Sequence, residues 1–339
     1  MQNLISRYRY TLVGLCVTLM LAAGCTPVTV KKPVVQVKPV KSRPAPVQPP
    51  APEPVKKPEV AILLSSNSSV YRDVADELVK RLEGRGSVFV LTKARSSNDA
   101  LMKQIGEKKY SQLVVLGLPA ARASQTLSDK QIVFSQIINY PEYNLLGKGM
   151  KGVDALPAVE PLFRDWHRLS PNMKKVLVLT GGHLGYYLVP AIKAAKKYGI
   201  ELVHKEVKFD REYLYESKQL NDIQGQWIIP DNRVLSRQLL KDLLTYNTHA
   251  GRQTLVFNNS LLQYGGLMSV EPDPVDIGHM LAVRLEQSIG QTEVPGPDVF
   301  AVAHNRMELN PLVARQLGLK IPKKYPATMF QPQVQDGKP

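Results

Sequence analysis

Side chains able to make or break bonds are thinly spread along this 339-residue chain. The six histidines stand at 167, 183, 204, 249, 279 and 304, and none has metal-motif spacing. Ser260 and His279 could belong to a nucleophilic triad, but no Gly-x-Ser-x-Gly elbow is present. Gly181-Gly182-His183-Leu184-Gly185 loosely echoes a dinucleotide fingerprint with the wrong spacing. Glu271, Asp273 and Asp276 have the oxygens for calcium, although their Pro-rich setting suits a hinge turn better. The chemistry that remains is recognition. Backbone N–H groups around Ser66, Asn67, Ser68 and Gly182 could hold a carboxylate at helix starts. Asp231 could take an ammonium, and Tyr140, Tyr143 and Tyr186 could stack on a planar or apolar group. Gly117, Pro119, Asn139, Asn232 and Asn259 complete the candidate binding set. The expectation is a non-enzymatic binding protein with no cofactor and no metal.

One thiol carries a different chemistry. Arg7 and Arg9 precede an apolar run from Thr11 to Gly24, and the run closes on Leu21-Ala22-Ala23-Gly24-Cys25. A basic start, a short apolar core and small residues before the cut make an export signal. The run falls short of the roughly 20 residues of a spanning helix. Cys25 stands where the bacterial lipoprotein lipobox, which this segment resembles, carries the acylated residue. The resemblance implies a membrane anchor through Cys25, on the periplasmic side of the cell envelope. Thr26, in place of an Asp, resembles an outer-membrane rather than inner-membrane sorting signal. The chain has two cysteines, and Cys16 lies inside the signal, so the mature body would hold no disulfide or Cys-zinc site.

Residues 25–58 read as a tether. Residues 26–58 hold ten prolines, among them Pro44, Pro46, Pro49, Pro50, Pro52 and Pro54, interleaved with Lys31, Lys32, Lys38, Lys41, Lys56 and Lys57. Such a stretch favours extended polyproline II and cannot bury a core. At about 3.1 Å per residue it reaches on the order of 100 Å. Of the formal +15 charge, two units lie in the signal and six in the tether, which leaves seven over residues 59–339. That excess is mild and forms no dense basic stripe, so nucleic acid is excluded as a partner.

The candidate loops require strands and helices to position them. Val60–Leu64, Val88–Leu91, Leu113–Leu116 and Ile132–Phe134 are continuous apolar runs. Between them lie helical spacings, such as Val70, Val74, Leu78 and Leu82, and Asn98 is read as the N-cap of the next helix. The pattern restarts with strands at Val176–Leu179, Glu201–Val203, Trp227–Ile229 and Thr254–Phe257. Helices are expected from about Tyr186 to Tyr198 and through Leu281, Leu285 and Ile289. Apolar runs joined by helices predict parallel sheets covered on both faces. The fold class is α/β, with two doubly wound parallel-sheet domains facing a cleft. The expected domains are 59–153 plus 271–293 and 154–270 plus 294–322, with a polar tail over 323–339. Ligands of such sheets bind beyond the carboxyl ends of the strands. This selects the loops 65–69, 117–120, 139–143, 181–185, 230–233 and 258–261.

At these loops, and in order along most of residues 59–322, the chain is similar to the ABC-transporter substrate-binding lipoproteins of the periplasmic binding protein type I fold. The nearest subgroup is the one associated with aromatic amino acids. The matching pieces include Leu116-Gly117-Leu118-Pro119-Ala120-Ala121, Asn139-Tyr140-Pro141, Gly152-Val153, Pro171-Asn172-Met173-Lys174-Lys175-Val176, Ile229-Pro230-Asp231-Asn232, Asp276-Ile277-Gly278 and Leu317-Gly318-Leu319-Lys320-Ile321-Pro322. The resemblance implies capture of a small organic molecule, an amino acid or related compound, for an ABC permease or a sensor. The tether and the outer-membrane signal suit a second function, that of a regulatory partner in an envelope complex with no transported ligand.

Overall fold

A computed structural model describes residues 57–332, apart from 108, 128, 183, 290 and 292–294. The expected export signal, Cys25 and nearly all of the expected tether lie outside the described residues. Among the described residues no helix is long and apolar enough to cross a membrane.

The first lobe opens with β1 (Glu59–Leu64), α1 (Ser69–Arg81), β2 (Gly86–Val90), α2 (Arg95–Ile105), β3 (Tyr110–Leu116), α3 (Leu118–Ala123), β4 (Gln131–Ser135) and β5 (Lys151–Val153). The chain crosses to the second lobe and lays down α4 (Val159–Leu169), β6 (Lys175–Thr180), α5 (Gly185–Lys197), β7 (Glu201–Glu206), α6 (Asp210–Gln219), β8 (Gly225–Trp227), α7 (Arg237–His249), β9 (Gln253–Val256) and β10 (Met268–Pro272). It returns through α8 (Pro274–Ser288) and β11 (Val299–Phe300), then crosses once more to β12 (Asn305–Leu309), α9 (Pro311–Gln316) and β13 (Thr328–Met329).

The two sheets run β11-β5-β4-β3-β1-β2 and β13-β12-β10-β9-β8-β6-β7. Every pairing in the first is parallel. In the second only β10 and β12 pair antiparallel. The apolar runs are continuous because both faces are covered. Val60, Ile62 and Leu64 pack into one cluster, while Ala61 and Leu63 pack into the cluster on the opposite face. Val176 and Val178 separate from Leu177 and Leu179 in the same way.

Helix α8 is bound tightly to the first lobe. A Cβ on Gly278 would sit 2.8 Å from the Glu77 Cβ and 3.1 Å from α1 backbone, so only glycine permits this approach. Buried Gln112 on β3 donates to the Leu285 carbonyl at 2.7 Å and to the Ser288 hydroxyl at 2.6 Å. The three crossover strands are fastened side by side. Asp154 N–H donates to the Phe300 carbonyl at 2.8 Å. Asp276 accepts from the backbone of Ala303 and His304, and Asn305 exchanges two hydrogen bonds with the Ala158 backbone.

Several expectations shift. Helix α2 starts at Arg95, and Asn98 is not its cap. The Asn98 amide clasps Thr92 instead, accepting from its N–H and donating to its carbonyl, both at 2.9 Å. Residues 299–300, expected in the second lobe, pair with β5 in the first sheet because the chain makes one more return before β12. Within the expected polar tail, Thr328–Met329 pairs with β12 as an edge strand.

Candidate functional site

Three of the six sequence-selected loops, 117–120, 139–143 and 230–233, converge between the lobes at the carboxyl ends of the strands. A pocket of about 350 Å³ is lined by Leu118 and Pro119 after β3, residues 136–139 and Tyr143 after β4, Pro230, Asp231 and Asn232 after β8, and Phe257 after β9. Tyr71 on α1 and Leu235 and Leu240 close its sides. The size lies within the range of roughly 300–1,000 Å³ of small-molecule sites.

Local backbone explains how these side chains reach the cleft. Gly117 has φ +91°, and a Cβ there would lie 2.6 Å from the Ser65 hydroxyl oxygen and 2.7 Å from the Tyr71 hydroxyl oxygen. The glycine lets β3 turn at once into α3, whose Ala120 N–H donates to Ser65 Oγ at 3.0 Å. After β4, Gln136, Asn139 and Asn144 adopt φ of 59°, 58° and 51°. Left-handed backbone at non-glycine residues is unfavourable and collects at functional sites. Asn139 is 6% exposed, and its Oδ1 has no hydrogen-bond partner among the described residues.

Asp231 has its partners already. Arg233 donates from Nε to Asp231 Oδ1 at 2.9 Å and from Nη2 to Oδ2 at 2.8 Å. The N–H groups of Arg233 and Gly181 add two further hydrogen bonds. Burial alone would raise this carboxyl, but the Arg233 and Gly181 donors outweigh it and hold it below the usual carboxylate range. Arg233 also reaches the first lobe, donating from Nη1 to Glu142 Oε1 at 2.7 Å. The expected ammonium site is thus the anchor of an inter-lobe ion pair.

The other expected residues separate into groups. Pro119, Asn139, Tyr143, Asp231 and Asn232 share the cleft pocket. Tyr140 and Tyr186 touch across the lobes, with ring centroids 4.9 Å apart at 60°, and line a second pocket of about 480 Å³ by the crossover strands. Asn259 lies in a third, polar pocket of about 330 Å³ with Asp73, Glu271, Arg306 and Glu308, and donates from its amide to Glu308 at 3.1 Å. Ser66, Asn67 and Ser68 are exposed at the start of α1 and line none of the three pockets. Asn67 accepts from Arg72. Gly182, at φ +99°, presents its carbonyl to Arg233 at 3.2 Å.

Sequence reasoning missed Tyr71, Gln136 and Arg233 in the cleft, and Asp154 and Tyr187 in the second pocket. Arg233 lay within a selected loop, two residues from Asp231, and that spacing was the available signal. The remaining carboxylates have structural uses. Asp273 caps α8, Asp276 ties down the third crossover and Glu271 pairs with Arg306. Among the described residues no group of three or more His, Cys, Asp or Glu could hold a metal ion.

No family model matches the chain, and no curated protein matches its sequence. Solved structures do resemble it. A ligand-free, open substrate-binding protein with adhesive properties from Clostridium difficile has TM-score 0.59 and 14% identity, covering 81% of this chain and 99% of that one. An ABC domain in complex with L-Trp from Streptococcus pneumonia has TM-score 0.55 and 17% identity, covering 80% and 100%. A conserved domain protein from Vibrio cholerae has TM-score 0.53 and 19% identity, again covering 80% and 100%. These likenesses are likenesses of fold, and the fold is periplasmic binding protein type I-like, with two parallel-sheet lobes around a cleft.

Proposed function

We propose that this chain is an extracytoplasmic solute-binding protein. It captures a small organic molecule between its lobes and presents it to an ABC permease or a sensor. The observation that carries this reading is the convergence of strand-end loops from both lobes on one pocket of about 350 Å³. The unpartnered Asn139 Oδ1 and the left-handed backbone beside it support the reading, since each is costly unless a ligand or function uses it. The mostly apolar lining suits an amino acid with a large side chain or a related compound. The L-Trp complex of the pneumococcal domain agrees with that class. Cys25 would hold the protein to a membrane by its acyl chains, with Thr26 directing it to the outer membrane.

The contact of Tyr140 with Tyr186 across the lobes favours a second reading, that of an envelope regulator whose cleft is partly plugged. A thermal-shift screen of ligand-stripped protein decides between the two. The panel comprises amino acids, small peptides, nucleosides, sugars and cell-wall fragments. A ligand at a hundred times its Kd adds roughly 2.7 kcal/mol, which raises the midpoint of a body this size by roughly 5–10 °C. One chemical class giving that shift is expected. A flat result across the panel overturns the solute-binding reading in favour of the regulator.

A further inference from the structure

The pocket beside the crossover strands contains a carboxylate without a counter-ion. Asp154 directly follows β5, where the chain first leaves the first lobe. Its Oδ1 accepts from the N–H groups of Ala155 and Leu156 at 2.7 and 3.1 Å. Among the described residues, nothing bonds to Oδ2 and no cation pairs with the group. Burial raises the carboxyl to about 6, against the opposing pull of the Leu156 and Ala155 N–H groups. Asp154 is half-buried, and a carboxylate drawn partly out of water without a partner is costly, where proteins ordinarily supply an arginine, a lysine or a bound cation.

The walls of the pocket narrow the choice of cation. Three tyrosines line it, Tyr140 from the first lobe and Tyr186 and Tyr187 from the second. The Tyr187 hydroxyl is spent on the Pro157 carbonyl at 2.7 Å, whereas the buried Tyr186 hydroxyl has no side-chain partner among the described residues and only the Asn139 backbone beside it. The other acid on the wall, Glu160, is satisfied by Lys197 and by the Tyr198 hydroxyl, each at 2.7 Å. Everything else in the lining is proline, leucine, valine or alanine, and no Lys, Arg or His lines the pocket. Aromatic faces attract cations through the ring quadrupole, more strongly where water is excluded. The volume of about 480 Å³ admits a ring-sized body as well as the charge.

We propose that this pocket is a second binding site, distinct from the cleft, which takes an organic ammonium with an apolar body, its charge on Asp154 and its body among Tyr140, Tyr186 and Tyr187. A zwitterionic amino acid is rejected here, because its carboxylate would meet an acid-lined, base-free wall. The same molecule without its carboxylate is accepted. The lobes share the wall, with Tyr140 on one and Tyr186 on the other, so occupancy couples to their separation.

Calorimetric titration of the full chain with phenethylamine, 2-phenylethanol and 3-phenylpropionate tests the site, because the three share a ring and differ in charge. Phenethylamine is expected to bind, the alcohol to bind at least about tenfold more weakly, and the acid to give no heat. Asp154→Asn keeps the Oδ1 acceptor and is expected to weaken phenethylamine at least about tenfold, whereas Asn232→Trp, which fills the cleft pocket, is expected to leave it unchanged. Equal binding of the three probes to the unsubstituted protein overturns the proposal without reference to any variant. So does the absence of phenethylamine heat at millimolar concentration. Phenethylamine binding that survives Asp154→Asn but is lost in Asn232→Trp places the amine in the cleft, which overturns this inference and leaves the solute-binding reading standing. Failure of the cleft screen leaves the charge preference of this pocket unaffected.

Discussion

Asp154 and Asp231 are strand-end carboxylates, one from each lobe. Asp154 directly follows β5, next to the edge of the first sheet, Asp231 lies shortly after β8 inside the second, and each lines a pocket. Asp231 is 6% exposed and has four hydrogen bonds from Arg233 and Gly181, which keep it ionised. Asp154 has two backbone donors and, among the described residues, no cation, and burial pushes its carboxyl up to about 6. The contrast teaches that a place in a pocket wall at a strand end does not make a carboxylate a ligand group. The presence or absence of an internal partner decides it. A charge already paired holds the structure together, and a charge left open is available to something that enters.

Removing the partner from Asp231 breaks the comparison most directly. Arg233→Met leaves a buried carboxylate with backbone donors only, and the expected loss is about 3 kcal/mol in denaturant unfolding at neutral pH. The sign of the pH dependence follows from the lowered native value. The pair contributes in full above the ordinary carboxylate range and is lost as pH falls through the lowered native value, so the variant and its parent converge only in acid strong enough to protonate Asp231 in the folded protein. A loss below about 1 kcal/mol at pH 7 would show that Asp231 is not dependent on Arg233, and the two carboxylates would then be alike.

Asp154→Asn is expected to act in the opposite direction. The native carboxyl titrates near 6 against an ordinary 3.8, so the ionised form is disfavoured by folding. The penalty is complete above about pH 6, falls as pH drops toward 3.8, and is absent below that. The amide keeps the Oδ1 acceptor without the charge. It is therefore expected to stabilise the protein by about 1–3 kcal/mol at pH 8 and to be neutral at pH 3. Urea midpoints at the two pH values measure this directly. Destabilisation at pH 8 would mean that Asp154 has a partner after all.

The difference between the two acids was not legible in the chain, although the frame around them was. Runs such as Val60–Leu64 and Val176–Leu179 declare buried parallel strands because alternate residues serve opposite cores, and no polar face interrupts them. Strands β5, β11 and β13, of three, two and two residues, are too short for any period and exist only by pairing with a neighbour. The strand-end rule located the cleft loops, and five candidates meet there. It also chose Ser66–Ser68, which stay outside, because Tyr71 from the next turn fills the space beside Gly117. Asp154 was overlooked because its significance is the lack of a cation among residues distant in sequence, and no local pattern records an absence.

Glu142→Gln probes how far the paired acid governs the lobes rather than their stability. The Arg233–Glu142 pair is partly solvated, with side-chain exposures of 33% and 22%. Its loss is expected to cost less than about 1 kcal/mol. It is nonetheless a tie between the lobes, together with Arg306–Asp73 at 3.5 Å. The radius of gyration by small-angle scattering is expected to rise while the unfolding midpoint barely moves. A fall in stability with unchanged dimensions would make Glu142 a fixture of its own lobe.

The same lesson applies to hydroxyls, with the smallest expected effect. Ser236 begins α7 and accepts from the Leu239 N–H at 3.2 Å, whereas Ser68 begins α1 with no side-chain cap bond. Both are Ser at an N-cap, a position where replacement by Ala ordinarily costs about 1 kcal/mol. Ser236→Ala is expected to incur that cost. Ser68→Ala is expected to fall within about 0.5 kcal/mol, the range of an uninvolved surface residue. Paired unfolding curves separate the two. If Ser68→Ala costs as much as Ser236→Ala, the α1 donors are satisfied internally. If it costs nothing, the first turn of α1 keeps N–H groups unclaimed by its own cap, as Asp154 keeps an oxygen.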